Sequence, residues 1–495
     1  MENRLAGAMA QEATVKMTEN GDKAYSTTRS ACLDLFALGG SLRSRSDNDI
    51  LHLWEKAEAE DPITAYKLLF LIRSIKEGYG ERRTFRVIWN SLDSKKQSAL
   101  NYFVFKTGRF DDLEQSILTN PSIAKIIREN LDYEYHTLDE GHPSLIAKWL
   151  PCGRGNASAK SRTRRMAKAL GYTTEKEYRK VVTGIRKHLN LVESLMVQNK
   201  WSEIDYSKIP SIARHKYVKA FYRHDNERFS KFIEDSLKDK ENKVMKVENL
   251  TPTDILCKVV NDPSYKKAGE AEWRNLPDFT GGHSGIALID TSGSMSWYTL
   301  GNNSRATPLI ASSAMGIYFA ERNKGPFKNL FLTFSSNPSF VDISKETTLE
   351  RKFSLIADTD WKNSTNLSGA FNAILDLAKK NGCSQEELPE TLYIFSDMEF
   401  DRCCLGASES SFERAKKAYE KEGYKLPNVV FWNLCARNDT LPVQKDEQGV
   451  ALVSGYSPRI FRMIMKGEFN PETVMEEALN SFSLSRQIET ALKEA

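Results

Sequence analysis

Apolar residues in the first half of the chain recur every three or four positions, which is the spacing of amphipathic helices. Asp61-Pro62 is a typical helix start, because the backbone N–H that proline lacks would have no partner there. Short connections indicate antiparallel neighbours, so we predict stacked helical hairpins of the HEAT kind, although the sequence shows no clean repeat period. The helices predicted most clearly in this half cover residues 31–38, 46–57, 62–75, 81–92, 113–118 and 123–131.

The second half alternates short apolar runs with amphipathic segments. Residues 286–289 are four consecutive apolar residues between glycine-containing segments, as expected of a strand covered on both faces. The alternation predicts a doubly wound α/β sheet with an antiparallel edge near 339–343 and terminal helices after it. The remaining elements predicted here are strands 284–290, 329–335, 391–397, 428–434 and 450–454, and helices 305–322, 366–380, 410–422, 460–466 and 473–494.

The two patterns divide the chain into parts. At 495 residues it is long enough for two or three domains, and 40% apolar with 27% charged residues is typical of a folded protein. We predict a flexible N-terminus over 1–20, a helical domain over 21–275, an α/β domain over 276–465 and C-terminal helices over 466–495.

Polar side chains follow the first buried strand of the predicted sheet. Asp290, Ser292 and Ser294 alternate beyond its carboxyl end, where open α/β sheets bind their ligands. One carboxylate with two hydroxyls suits Mg²⁺, which takes oxygen ligands and few protein carboxylates. On this stretch alone, the alternative is a serine-rich loop in which Ser294 or Ser296 caps the next helix.

Two later segments extend this pattern. Thr365 lies at the start of a predicted helix, and Asp397 ends another apolar strand. In order and residue type the three segments resemble the metal-ion-dependent adhesion site of von Willebrand factor A domains, over about residues 275–465. The resemblance implies an α/β von Willebrand factor A fold that binds Mg²⁺ or another divalent cation. Its implied ligands are Asp290, Ser292, Ser294, Thr365 and Asp397.

Two nearby acids have open roles. Asp401 and Glu399 follow the predicted metal strand, where outer carboxylates can orient the ligands of a metal. They are equally compatible with ordinary loop acids, which is the interpretation we favour for Glu399.

The strongest charge bias lies in the helical half. Residues 154–187 contain eleven basic and two acidic residues, whereas the whole chain carries a net charge of only +4. With the interleaved Tyr172 and Tyr178 and a second basic run over 214–224, this favours single-stranded RNA, whose bases stack on aromatic rings. The alternative is a solvated helix face, and His215 and His224 are either RNA contacts or core residues. The candidate RNA contacts are Arg154, Lys160, Arg162, Arg164, Arg165, Lys168, Arg179, Lys180, Arg214, His215, Lys216 and Lys219.

A second resemblance concerns this half. The segment from Phe70 to Arg83, with Arg73 followed by Gly78-Tyr79-Gly80-Glu81-Arg82, looks like Ro/TROVE-type proteins and their uncharacterised relatives in viruses and plants, as do parts of 150–211. This implies a TROVE-like ring of HEAT-like helices, closed by a von Willebrand factor A domain, that binds small non-coding or misfolded RNA. We therefore expect an RNA-binding ribonucleoprotein component whose metal domain docks a protein or stabilises the ring. The alternative is a metal-dependent protein-interaction module or viral assembly protein without an RNA role.

Several classes are not expected. The sequence lacks the H-E-x-x-H, Walker and G-x-G-x-x-G motifs, so we predict a binding protein and not an enzyme. No stretch of 18 apolar residues and no signal-peptide pattern are present, so we predict no membrane span. Seven cysteines without C-x-x-C spacing argue for reduced thiols, which together with these absences predicts a cytoplasmic protein.

Overall fold

The computed structural model describes two kinds of architecture in one chain, a helical first half and a sheet-containing second half. The described residues are 14–494, except 140, 142, 154, 190, 239–244, 282–283, 301–304, 335–336, 359–364, 403–408 and 465–468.

The first half is helical, as predicted. Its helices begin at the expected caps: the Asp61 side chain accepts from the Thr64 N–H, with Pro62 as the first helical residue, and Ser46 forms a capping box with Asp49. The helices are α1 (Ala31–Leu38), α2 (Asp47–Glu60), α3 (Pro62–Arg73), α4 (Arg83–Ser91), α5 (Ser94–Thr107), α6 (Glu114–Thr119), α7 (Pro121–His136), α8 (Ile146–Trp149), α9 (Ala157–Ala169), α10 (Glu175–His188), α11 (Val192–Val197), α12 (Ser211–His224), α13 (Asn226–Lys238), α14 (Pro252–Asn261) and α15 (Lys266–Arg274).

A short antiparallel hairpin precedes these helices. Its strands are β1 (Val15–Met17) and β2 (Lys23–Tyr25), and its turn carries Gly21 in the left-handed region, at φ 86°. The prediction of a flexible segment over 1–20 is therefore wrong for 14–20. The reason is long-range: Tyr25 bonds to Leu441, and Thr18 donates to the Phe400 carbonyl.

The second half contains the predicted mostly parallel sheet. Within the described residues its six strands lie in the order β5-β4-β3-β6-β7-β8, and only the β4–β5 pair among them is antiparallel. Every residue of β3 and β6 is buried, because helices cover both faces of a parallel sheet. The strands are β3 (Gly285–Asp290), β4 (Leu330–Phe334), β5 (Ser339–Asp342), β6 (Thr391–Ser396), β7 (Asn428–Asn433) and β8 (Val450–Ser454). The helices are α16 (Ser294–Trp297), α17 (Pro308–Arg322), α18 (Leu349–Ala357), α19 (Leu367–Asn381), α20 (Ser411–Lys421), α21 (Phe461–Ile464), α22 (Pro471–Ser481) and α23 (Ser485–Glu494).

The two halves contact each other at both ends of the chain. Helix α1 packs on β8, where the Gly40 N–H donates to Ser454 Oγ at 2.9 Å. The last helix, α23, packs back onto α3 and α5, and Lys67 pairs with Glu489 at 2.7 Å. Elements that are distant in sequence thus join the two halves.

None of the described helices is long and apolar enough to span a membrane.

A buried ion pair holds the helical half together. Arg73 and Asp112 are both fully buried, with Nη2 and Oδ2 2.7 Å apart. Asp112 also accepts from Arg86 Nε at 2.6 Å and from the Arg109 backbone N–H at 2.9 Å. One carboxylate therefore ties α3, α4 and the segment after α5 to each other.

Asp112→Ala should strongly destabilise the chain, because it leaves the Arg73 guanidinium buried without its counter-ion. We expect a loss of roughly 3–5 kcal/mol, measured as a lower midpoint of urea unfolding followed by circular dichroism. The matched control is Asp446→Ala, which removes the exposed partner of Arg29 and should cost less than about 1 kcal/mol. Equal midpoints for the two variants would contradict a structural role for the buried pair.

Candidate metal edge and basic cavity

The predicted metal ligands come from loops at one edge of the sheet. Strands β3 and β6 are parallel neighbours, with Ile289 opposite Phe395, so their carboxyl ends lie side by side. Asp290 ends β3 and Asp397 follows β6, while Thr365 precedes α19. We call Asp290, Ser292, Ser294, Thr365 and Asp397 the metal edge.

Asp290 lies at the centre of the metal edge and is fully buried. Its Oδ2 accepts from Ser396 Oγ at 2.5 Å, and its Oδ1 accepts from the Ser292 N–H at 2.9 Å. Burial and the neighbouring negative charge of Asp397 raise the pKa of Asp290 to about 7. Two carboxylates buried side by side require protonation, hydrogen bonds or a nearby positive charge.

The other members of the metal edge contribute hydroxyl groups. Ser292 Oγ and Ser294 Oγ lie 3.1 Å apart, and Thr365 Oγ1 is buried with no hydrogen-bond partner among the described residues. The Thr365 backbone is held by Asp401, which accepts from its N–H at 2.6 Å. A buried hydroxyl without a partner is costly unless it has a ligand to bind. The residues present therefore fit a divalent cation with oxygen ligands. No cluster of three or more His, Cys, Asp or Glu is found within the described ranges, so hydroxyls have to contribute to any such site here.

The positive charge that the structure places here belongs to Arg437, which follows β7. Its Nη2 lies 2.9 Å from Asp397 Oδ2, and its Nη1 lies 2.6 Å from Glu19 Oε2 on the hairpin. The ring of Tyr298 lies 5.1 Å from the guanidinium. Sequence reasoning missed Arg437, because it stands 40 positions from Asp397 in a segment without a motif.

The two acids of uncertain role have different partners. Asp401 binds the Thr365 backbone and so positions a residue of the metal edge. Glu399 is buried and accepts from the Glu19 N–H at 2.7 Å and from Thr440 Oγ1 at 2.7 Å. Glu399 therefore fastens the N-terminal hairpin to the sheet.

The basic tract predicted to contact RNA is divided between surface and interior. Helix α9 exposes Lys160, Arg162, Arg164, Arg165 and Lys168, and Lys180, Lys216 and Lys219 are also exposed. Arg162 pairs with Glu114 at 2.7 Å, and Lys219 pairs with Asp262 at 3.2 Å. Arg154 lies outside the described residues.

Other predicted contacts face inward. Arg214 is fully buried beside Glu272, at 3.4 Å, so it cannot touch an external strand. His215 is mostly covered and binds Glu272 at 3.0 Å, and Arg179 is half-buried against Glu175. Tyr172 and Tyr178 are buried as well, so neither offers a face for a nucleobase. The apolar periodicity of α10 and α12 places Arg179, Tyr178, Arg214 and His215 on or beside the faces that pack into the core, and Tyr172 is buried in the segment before α10.

A large cavity lies between the two halves of the chain. Its volume is about 1650 Å³, and its lining includes ten basic and five acidic residues. Four of its arginines lie at two places in the chain: Arg82, Arg83 and Arg86 at the start of α4, and Arg109 just after α5. Among the predicted RNA contacts, Lys216 lines it.

Arg82 has a distinctive environment within this cavity. It is exposed to the cavity and has no ion-pair partner among the described residues. Desolvation of the Arg82 guanidinium and the like charges of Arg109, Arg73 and Arg86 lower the pKa of Arg82 to about 10, against the smaller opposing effect of Asp111. An arginine that lies among other arginines without an ion-pair partner of its own indicates a site for an anion. The clustering of Arg82, Arg83 and Arg86 was visible in the sequence, but Arg109 and Lys216 reach the cavity only through folding.

Asp290→Ala should abolish stabilisation by Mg²⁺, because the central carboxylate of the metal edge is lost. Thr365→Val should weaken it, since valine has the shape of threonine without the hydroxyl, and Thr365→Ser should retain it. Melting temperatures over a Mg²⁺ series at constant ionic strength measure all three variants. An unchanged Mg²⁺-dependent shift in Asp290→Ala would show that the cation binds elsewhere.

Comparison with known proteins finds relatives along most of the chain. Residues 284–492 match a family model described as Domain of unknown function (DUF7788), and residues 18–95 and 136–278 match Domain of unknown function (DUF2828). Uncharacterized protein L728 of Acanthamoeba polyphaga mimivirus is 28% identical over 521 aligned residues, which cover 96% of this chain and 88% of the viral protein. The crystal structure of the Ro (RSR) protein of Deinococcus radiodurans overlaps loosely, with a TM-score of 0.38 and 14% identity over 92% of this chain and 100% of that chain. The chain is thus similar over nearly its whole length to a viral protein, and its helical and α/β halves match separate family models.

Proposed function

We propose that this protein binds single-stranded RNA in the basic cavity and uses the metal edge to dock a protein partner. The observation that carries the proposal is the cavity itself, with its excess of positive charge and its unpaired Arg82. Phosphates are the ligands that clustered arginines bind best, because the guanidinium fork matches two oxygens at once.

The size of the cavity favours a polymer over a small molecule. Pockets for drug-sized ligands and cofactors measure about 300–1000 Å³. A volume of about 1650 Å³ exceeds that range and has room for several nucleotides. The excess of five basic residues over acidic ones along its lining suits a ligand with repeated negative charges.

The apolar part of the lining suits unpaired bases. Leu145 and Ile212 line the cavity although each is nearly half exposed, and Trp149 lies under Arg109 with 4.0 Å between guanidinium and ring centre. Tyr217 adds a second partly covered ring. Alternating basic and aromatic or apolar groups is how proteins hold single strands without reading a fixed sequence. Duplex RNA keeps its bases stacked inside, so this lining favours a single strand.

The exposed basic face of α9 is the second candidate surface for RNA. It presents five basic side chains to solvent. Such a face contacts phosphates without recognising bases, so it would add affinity to an RNA that also enters the cavity. The cavity and α9 can therefore be tested against each other by removing equal charge from each.

The metal edge supports the second part of the proposal. Asp290, Ser292, Ser294, Thr365 and Asp397 would hold a divalent cation, and such a cation supplies a positive centre that captures a carboxylate of a partner protein. The buried Thr365 hydroxyl without a partner favours this role. We infer a binding role and not catalysis, because no group of three or more His, Cys, Asp or Glu side chains is found at this edge among the described residues. A protein-interaction module without RNA is the second candidate function, and it rests on this edge alone.

Neutralising the cavity should weaken RNA binding more than neutralising α9. The cavity variant Arg82→Gln/Lys106→Gln/Lys216→Gln removes three charges that have no ion-pair partner among the described residues, so the fold should persist. We expect its affinity for a single-stranded RNA of about ten nucleotides to fall at least roughly tenfold at about 0.15 M salt. Fluorescence anisotropy measures the affinity, with a duplex of the same sequence as a competitor.

The control variant Arg162→Gln/Arg164→Gln/Arg165→Gln removes the same charge from α9. A loss confined to this control would move the RNA to the outer surface. The RNA proposal fails if the wild-type chain purifies with an absorbance ratio of clean protein and shows no salt-sensitive RNA binding.

A further inference from the structure

Arg437 stands between two carboxylates that belong to distant parts of the chain. One is Asp397 of the metal edge, at 2.9 Å and 1% exposed, and the other is Glu19 of the N-terminal hairpin, at 2.6 Å and 47% exposed. The Arg437 side chain is 12% exposed. It therefore joins a buried carboxylate of the metal edge to a solvent-facing one.

The hairpin is fastened beside the metal edge by several contacts. Thr18 Oγ1 donates to the Phe400 carbonyl at 2.6 Å, and the Arg402 N–H donates to the Asn20 carbonyl at 3.0 Å. Asn438 Nδ2 donates to the other oxygen of Glu19, Oε1, at 2.9 Å. The hairpin turn thus packs along residues 399–402, the segment that follows Asp397.

The charges around this point conflict when a divalent cation is present. The buried Asp290 and Asp397 attract a cation, but Arg437 already neutralises part of their charge. A divalent cation at the metal edge would repel the guanidinium and compete for Asp397. Glu19 and Glu399 both attract Arg437, so the released guanidinium has carboxylates to move toward.

We infer that the Arg437 guanidinium shifts its pairing between Asp397 and Glu19. This shift couples metal binding at Asp397 to the attachment of the N-terminal hairpin through Glu19. Without a metal, Arg437 neutralises Asp397 and shares its charge with Glu19. With a divalent cation bound, Arg437 pairs with Glu19 more strongly and the hairpin is held more tightly. This inference rests on the metal edge of the proposed function and is independent of RNA.

The inference predicts opposite effects for the two partners. Arg437→Met removes the competing cation, so the Kd for Mg²⁺ should fall about tenfold. Glu19→Gln removes the group that draws Arg437 away from Asp397, so the Kd for Mg²⁺ should rise about threefold. In the double variant the effect of Glu19→Gln should vanish, because it acts through Arg437.

Isothermal titration of the full chain with Mg²⁺ at constant ionic strength measures these constants. Arg437→Lys is a second variant that keeps a positive charge but replaces the planar fork, whose Nη1 and Nη2 bind Glu19 and Asp397 separately, with a single ammonium group. We expect it to weaken the effect of Glu19→Gln. Arg29→Met is the matched control: it removes another ion pair between the N-terminal segment and the second half, Arg29–Asp446, and should leave the Kd unchanged.

Hydrogen exchange gives a readout independent of affinity. Mg²⁺ should increase the protection of amides over 14–25 in the wild type and not in Arg437→Met. The inference is overturned if Arg437→Met binds Mg²⁺ no more tightly than the wild type. It is also overturned if Glu19→Gln changes the Kd equally with and without Arg437, because the charge of Glu19 would then act on the cation directly. A wild-type chain that does not bind Mg²⁺ overturns the metal edge as well.

Discussion

Two carboxylates buried side by side impose the main constraint on the second half of this protein. Asp290 and Asp397 lie at the ends of neighbouring parallel strands, and neither is more than 1% exposed. Negative charges in such a setting require protonation, hydrogen bonds or a nearby cation. The structure supplies hydrogen bonds from Ser396 and Ser292, a raised pKa at Asp290, and the guanidinium of Arg437. The loops around the edge are arranged to meet this requirement.

The same requirement links the two ends of the sequence. Arg437 reaches the hairpin through Glu19, and Glu399 fixes the backbone of that residue. The hairpin in turn leads into α1, which packs on β8. A change of charge at the metal edge is therefore connected by direct contacts to the segment that begins the helical half. The cavity borders this junction, since Arg43 after α1 and Tyr456 after β8 both line it together with the arginines at the start of α4.

Much of the α/β half could be predicted from the sequence, because its information is local. Four apolar residues followed by Asp290 define a buried strand and its carboxyl end, and the same holds for the strand before Asp397. Parallel pairing then brings the ends of β3 and β6 together. Arg437, Glu19 and the hairpin were not predictable in this way. Their contacts join residues about 40 to 420 positions apart, and no spacing rule connects them.

The helical half shows why a basic run is a weak guide to a binding surface. The densest basic run of the sequence covers α9 and α10, yet helical periodicity directs part of it inward, and Arg214 of the second run is fully buried. The arginines that share a cavity come instead from the separate segments 82–86 and 109, which fold together around the buried Arg73–Asp112 pair. Asp112 pairs with both Arg73 and Arg86, Asp111 also pairs with Arg86, and Arg82 has no ion-pair partner among the described residues. A polyanion binds where positive charge is concentrated in space. The ion pairs that already neutralise some arginines therefore decide where it binds as much as the number of arginines along the chain. That argument favours the cavity over the outer face of α9, where Arg162 is already paired with Glu114.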